Sequence, residues 1–271
     1  MQPPSPSIDE GDDDSLSSAL LAQHLSGSRI LREFRVLPEV DSTNSYLLRE
    51  ARSETEGLVV LAEHQTAGHG RQGRQWISPV RSAINCSILL RPRLSPGDRY
   101  LLTAACALAV REALAPLVTE SLVIKWPNDV LLAGGKVCGV LAEAASSPRD
   151  SVMILGFGVN VHAAPKRPVV PNATCIADHA RLPVTRMEVL VPILAGLDSL
   201  VADLYAGDAE RVWRAWRGAL HTIGREVEFC DSEVTVRGRA VDVQRDGGLV
   251  IEVPDEGLRR TIYAGDAIEP P

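Results

Sequence analysis

GLVVLAEHQTAGHGRQGRQW, residues 57–76, starts as an apolar run and ends in a loop holding three glycines, two arginines, a histidine and a tryptophan. The run over 57–65 predicts a strand that passes directly into the loop. Glycines let such a loop reach positive φ and bring backbone N–H groups close to an anion. Arg71 and Arg74 add planar donors that match carboxylate or phosphate oxygens two at a time. Gly68, Gly70 and Gly73 match G-x-G-x-x-G, but a dinucleotide turn needs a parallel crossover around it, and the surrounding pattern does not supply one. Nor is the loop a G-x-x-x-x-G-K-[ST] phosphate loop. That spacing also fails at Gly134-Gly135-Lys136, where Val130 stands in the first glycine's place and Val137 follows the lysine.

Outward from this stretch, residues 33–219 mix strands and helices without a strict β-α repeat. The pattern predicts an α+β fold, a mixed sheet flanked by helices, rather than a doubly wound one. Ser15 reads as the cap of a short helix with Leu16, Leu20, Leu21 and Leu25. Ser42-Thr43-Asn44 reads as the cap of a helix that turns Leu47, Leu48 and Ala51 inward. AINCSILLRP (83–92) is a strand with Asn85 and Ser87 facing away from Ile84, Cys86 and Ile88. Pro96-Gly97-Asp98 leads into a long buried helix, SLVIKW is another strand, and VLLAGGKVCGVLAEA is a hairpin turning at Gly134-Gly135. Thr185 and Glu188 have capping-box spacing and open a helix to Tyr205 that Pro192 should kink; Gly207-Asp208 starts the next. After residue 220 short alternating runs predict a small all-β module. The expected organisation is a disordered acidic tail over 1–14, a catalytic domain over 15–220 and an SH3-like β-barrel over 221–271.

The 271 residues carry a net charge of -7, which argues against a general nucleic-acid or anionic-membrane binder, so any basic site must be local. No signal peptide and no run of about 20 apolar residues is present, so a cytoplasmic protein is expected. Five scattered cysteines fit neither a zinc cluster nor a disulfide framework and read as buried thiols.

Two lysines complete the chemistry. LVIKWPNDVLL sets Lys125 at a strand end, with Asn128 and Asp129 in a turn held by Pro127. Lys136, just past a glycine turn and at the head of an apolar strand, can hold its ammonium at one point and stabilise charge developing on a carboxylate or phosphate. Asp129 could support magnesium, although an Asp that stabilises its own turn is the commoner case.

DSTN, EHQTAGHGRQGRQW, KWPNDVLL, GGKVCGVLAE and GFGVN, in this order, resemble the biotin protein ligases, biotin-[acetyl-CoA-carboxylase] ligase. The resemblance covers residues 40–160 through these motifs and extends to the C-terminal β module. It implies a catalytic domain like that of class II aminoacyl-tRNA synthetases followed by an SH3-like domain. The implied reaction uses biotin, ATP and Mg2+ to form biotinyl-5′-AMP and transfers biotin to one lysine of a biotin carboxyl carrier domain. Position by position, the resemblance assigns Ser42, Thr43, Asn44, Gln65, Gly68, Gly70, Arg71, Lys136 and Gly139 to biotin. Arg74, Trp76, Asn128 and Asn160 go to the nucleotide, and Asp129 to Mg2+. Lys136 and Arg71 are the implied catalytic pair.

The family loop usually reads GRGR; here it reads GHGR, so His69 replaces a permanent cation with a group that titrates near ~6.5 when unperturbed. The DSTN motif begins at Asp41, which implies no room for the N-terminal winged helix-turn-helix of family members that bind DNA. A monomer and a homodimer both stay open. Two alternatives accompany the ligase reading: a relative of the lipoate ligases, and a non-catalytic biotin or adenylate sensor.

Overall fold

The computed structural model describes residues 14–145, 152–166, 170, 172–230, 235–253 and 257–263. Residues 1–13 of the expected tail lie outside that set. Asp14 does not belong to a tail: its carboxylate is 2.7 Å from Nε of Arg186, a fully buried arginine that also pairs with Glu63. His162 Nε2 lies 3.0 Å from the same Asp14 carboxylate. Burial alone would raise the Asp14 pKa, but the hydrogen bonds and charge of Arg186 outweigh it and hold it below the usual value.

Ser17, not Ser15, caps α1 (Ser18–His24), its Oγ accepting the Leu20 N–H. With the helix starting later, Leu21 and Leu25 form the buried stripe, and Leu20, a helical step away, is exposed. There follow β1 (Glu33–Leu37), α2 (Thr43–Glu50), β2 (Leu58–Ala62), β3 (Ala83–Leu90), α3 (Leu101–Leu114), β4 (Leu122–Lys125), β5 (Asp129–Leu132), β6 (Gly135–Ala145), β7 (Val152–Asn160), α4 (Arg186–Tyr205) and α5 (Ala209–Ala219). The strands form one sheet in the order β1-β2-β3-β7-β6-β5-β4. Only β1 and β2 run parallel, which makes the sheet mixed, as the irregular alternation implies.

One detail differs from the sequence reading. The β5–β6 hairpin turns at Ala133-Gly134, both at positive φ (49° and 81°), one residue earlier than expected, and Gly135 already belongs to β6. The capping box at Thr185 and Glu188 is present, and α4 runs through Pro192 as one helix. Inside α4, the Asp198 carboxylate accepts the Ser28 hydroxyl and the N–H groups of Arg29 (3.0 Å), Ile30 (2.8 Å) and Leu31 (3.2 Å). It thereby fixes the chain between α1 and β1.

Strand alternation sorts the sheet's two faces. Ile84, Cys86 and Ile88 of β3 and Leu155, Phe157 and Val159 of β7 join the core that also holds α3, α4 and α5. The opposite face is aliphatic only under α2, where Leu58, Val60, Leu89, Val152 and Ile154 meet Leu47 and Ala51. Further along the same strands it changes to Ser87 and Asn85 on β3 and to Gly156, Gly158 and Asn160 on β7. That part is open.

The C-terminal module is a four-stranded antiparallel sheet, β8 (Glu226–Cys230), β9 (Thr235–Val243), β10 (Leu249–Val253) and β11 (Leu258–Ile262), in the order β11-β10-β9-β8. It docks through aromatic rings. Trp126 packs edge-on against Phe229 with centroids 5.5 Å apart, and its Nε1 donates to the Gly247 carbonyl at 2.8 Å. Gly247, at φ 91°, lies so close to Tyr100 that a Cβ there would stand 2.5 Å from the ring. Cys86, Cys106, Cys138 and Cys175 are buried free thiols, as expected.

Candidate active site

The open half of the sheet is the floor of a cavity of about 730 Å³. One end is polar. Ser42 caps α2, and the following Thr43 donates its N–H (2.8 Å) and hydroxyl (3.1 Å) to Gln65 Oε1. Gln65 Nε2 in turn donates to Asn85 Oδ1 at 3.3 Å, which ties the end of the β2 segment to β3. Ser87 Oγ lies 2.7 Å from Thr43 Oγ1 and 2.5 Å from Asn44 Oδ1. Gly156 lies beneath Asn44 so closely that any Cβ would overlap the amide oxygen. Ser42, Thr43 and Asn44 are therefore both a helix cap and a cavity wall, buried as side chains yet facing the cavity.

The other end is cationic. Asp129 is the first residue of β5 rather than part of a free turn, paired across the hairpin with Lys125 and, on the other side, with Gly139. A register shift in the β5–β6 pairing lets Val137 and Cys138 both enter the core. The shift brings Lys136 beside Gly139 over the cavity; a Cβ on Gly139 would lie 3.2 Å from Lys136 Nζ. Lys136 Nζ is 2.7 Å from Asp129 Oδ1, and the backbone of Lys136 is clamped by Asn172 and Thr174. Lys125 also lines the cavity.

The glycine loop closes over this floor. Gly70, Arg71, Arg74 and Trp76 all line the cavity, and Gln72 and Gly73 take positive φ (56° and 71°) in the tight turn at Arg71–Gly73. Gly68 does not line it. A Cβ there would stand 2.9 Å from Gln65 Nε2 and crowd the Trp76 carbonyl, so its part is to let the two ends of the loop meet. The Trp76 indole rests on Gly158, where no side chain would fit, and donates from Nε1 to Asn85 Oδ1 at 3.1 Å. Arg71 Nη1 reaches Asn128 Oδ1 at 3.4 Å, and Asn128 Nδ2 donates to the Val140 carbonyl. Arg74 turns back to Gln72 Oε1 within the loop at 3.0 Å. Below them the Tyr100 hydroxyl donates to the Pro127 carbonyl, and burial pushes its phenol well up, which keeps that proton in place.

Asn160 is buried at the end of β7, with Nδ2 donating to the Thr174 carbonyl (3.0 Å) and Oδ1 unpartnered among the described residues. No three metal-ligating side chains converge among the described residues. Asp129 thus offers one carboxylate, shared with Lys136. That fits a magnesium ion carried mainly by phosphate oxygens, not an all-protein cage.

Sequence reading turned Asn85 and Ser87 away from the core without assigning them to the site, and it missed Glu143, Gly156 and Gly158. Alternating glycines in LGFGVN and alternating polar residues in INCSI were the available signals, because period two in a strand marks a face. Glu143 gave none.

No helix among the described residues is long and apolar enough to cross a membrane. The family model of the biotin/lipoate A/B protein ligases matches residues 36–160, and that of the biotin protein ligase C-terminal domain matches residues 222–268. The chain is 34% identical to the biotin-[acetyl-CoA-carboxylase] ligase of Mycobacterium tuberculosis, over 88% of this chain and 89% of that one. It is 32% identical to the enzyme of the same name from Paracoccus denitrificans, over 81% and 94%. Among solved structures, the Aquifex aeolicus biotin protein ligase in complex with biotin and ATP superposes with a TM-score of 0.75 at 26% identity, covering 87% of this chain and 97% of that one. Matched at both ends, and with the motif residues gathered around one cavity, the chain belongs to the biotin protein ligases of the biotin/lipoate A/B protein ligase family.

Proposed function

We propose that the protein activates biotin with ATP as biotinyl-5′-AMP and then transfers biotin to a lysine of a biotin carboxyl carrier domain. The observation that carries this is the placement of Lys136 and Arg71 above a glycine floor, between a polar pocket and an asparagine-lined end. A carboxylate and a triphosphate repel each other, and fixed cations between them offset that repulsion. In the first step a biotin carboxylate oxygen attacks the α-phosphorus and pyrophosphate leaves. In the second the carrier lysine nitrogen attacks the acyl carbon, AMP leaves and the amine proton is lost.

Ser42, Thr43, Asn44 and Gln65 hold the biotin rings, with Gly139 and Gly70 allowing close approach. Lys136 and Arg71 hold the reacting carboxylate and phosphate oxygens. Arg74, Trp76, Asn128 and Asn160 serve the nucleotide, and Asn160 Oδ1, unpartnered among the described residues, suits a donor on adenine or ribose. Asp129 is the carboxylate that would support Mg2+ brought in with ATP, and the ion would supply neutralisation of phosphate charge. Residues 15–220 form the catalytic domain and 221–271 the C-terminal domain, and the site of action is the cytoplasm.

The test mixes protein, MgATP, biotin and an apo carrier domain and weighs the carrier. Gain of one biotin is expected. Tight biotin binding without any gain overturns the ligase in favour of a sensor; pyrophosphate exchange that answers to lipoate instead of biotin overturns the substrate.

A further inference from the structure

Glu143 stands on β6, two residues beyond Leu141 and four beyond Gly139, so strand alternation puts it on the cavity face. One of its oxygens, Oε2, lies 2.7 Å from Asn44 Nδ2 and 3.2 Å from His69 Nε2. An ionised carboxylate only accepts hydrogen bonds, so both partners donate. Asn44 turns its amide nitrogen to Glu143 and its oxygen to Ser87, and His69 donates to Glu143 in any form that holds a proton on Nε2. Three elements therefore meet at a single atom: α2 from the polar pocket, the glycine loop and β6. His69 and Arg71 flank Gly70, so holding the histidine also sets where Arg71 arrives. His69 and Glu143 are each about 30% exposed as side chains, which shields their contact more than a surface pair.

We propose that Glu143 is the positioning residue on which the glycine loop closes, coupling loop closure to the biotin end of the cavity through His69 and Asn44. The inference rests on the ligase reading of the site. It also accounts for the histidine: the position needs a donor aimed at Glu143, and His69 can provide one.

The experiment measures the lifetime of biotinyl-5′-AMP on the full chain after removal of free ATP and biotin. Glu143→Gln and His69→Ala are each expected to shorten it by about tenfold, the weight of one charge-assisted hydrogen bond. Because both remove the same contact, the double variant should lose little more than either single one. His69→Arg should preserve or lengthen the lifetime with Glu143 present and bring no gain with Glu143→Gln. A purely structural Glu143 would instead lower Tm and combine additively with His69→Ala, and that result overturns the proposal. So does an unchanged lifetime in both single variants. Failure of the parent chain to form any adenylate overturns the ligase reading and this inference together, so the two failures are told apart. Glu143→Gln keeps the side-chain size, and His69→Ala reads the same contact if the first variant folds poorly.

Discussion

Lys136 Nζ sits 2.7 Å from Asp129 Oδ1, and both side chains reach the cavity from adjacent strands whose register slips by one residue between them. Asp129 holds the ammonium ready for a more demanding partner. Lys136→Ala should slow adenylate formation by roughly 10²–10³, the usual weight of one charge-stabilising donor in a closed site. Biotin-dependent pyrophosphate exchange measures it, and a loss below tenfold would remove Lys136 from the reacting centre.

Gly156 leaves no room for a Cβ because the Asn44 amide occupies that space. Gly156→Ala should push Asn44 away from Ser87 and Glu143 and raise the KM for biotin about tenfold or more, the weight of one or two polar contacts. The KM for ATP should change far less. Equal rises in both constants would count against Asn44 as a biotin contact.

Gly247 packs on Tyr100, whose hydroxyl holds the Pro127 carbonyl next to Asn128 and Asp129. Gly247→Val adds a side chain both at positive φ and against an aromatic ring, so it should lower stability by about 1–3 kcal/mol. Because that contact lies directly behind Asn128, the KM for ATP should rise as well. Chemical unfolding and steady-state kinetics read the two effects separately.

Asp198 makes its contribution as a carboxylate. Burial raises its pKa, but the Ser28 hydroxyl and the N–H groups of Arg29, Ile30 and Leu31 outweigh burial and hold it below the ordinary value. With the folded value below the unfolded one of about 3.9, its stabilisation is complete above that pH and lost as the pH falls through the folded value. Asp198→Ala should therefore cost about 1–3 kcal/mol at pH 7 and progressively less as the pH falls below the unfolded value, measured by urea unfolding. A cost independent of pH would point to packing.

The sequence was most legible where local chemistry decides. The Thr185–Glu188 capping box, the Asp208 cap and the α2 cap at Ser42 stand where their spacing put them. So does the gathering of DSTN, the glycine loop and the two lysines at one cavity. It was least legible where a role depends on distant packing. Ser15 and Ser17 are equally good caps by type, and Asp14 looks like tail until a buried Arg186 supplies its partner. Lys136 faces the site because of a register shift that no residue in GGKVCG announces. Gly68 looks like a ligand glycine, but its constraint comes from the Trp76 carbonyl eight residues on. Glu143 is an ordinary strand glutamate until α2 and the loop arrive from elsewhere in the chain.

The Trp126 indole reaches the Gly247 carbonyl across 121 residues of chain. During synthesis, Asn128, Asp129 and Lys136 have all left the ribosome, at about 5–20 residues per second, well before the turn that backs them exists. The pocket for biotin is backed by a core that is complete once α5 has emerged, at Ala219. The wall behind the nucleotide end is completed only when the β9–β10 turn emerges, so a nascent or truncated chain should hold biotin before it can hold ATP in register with it.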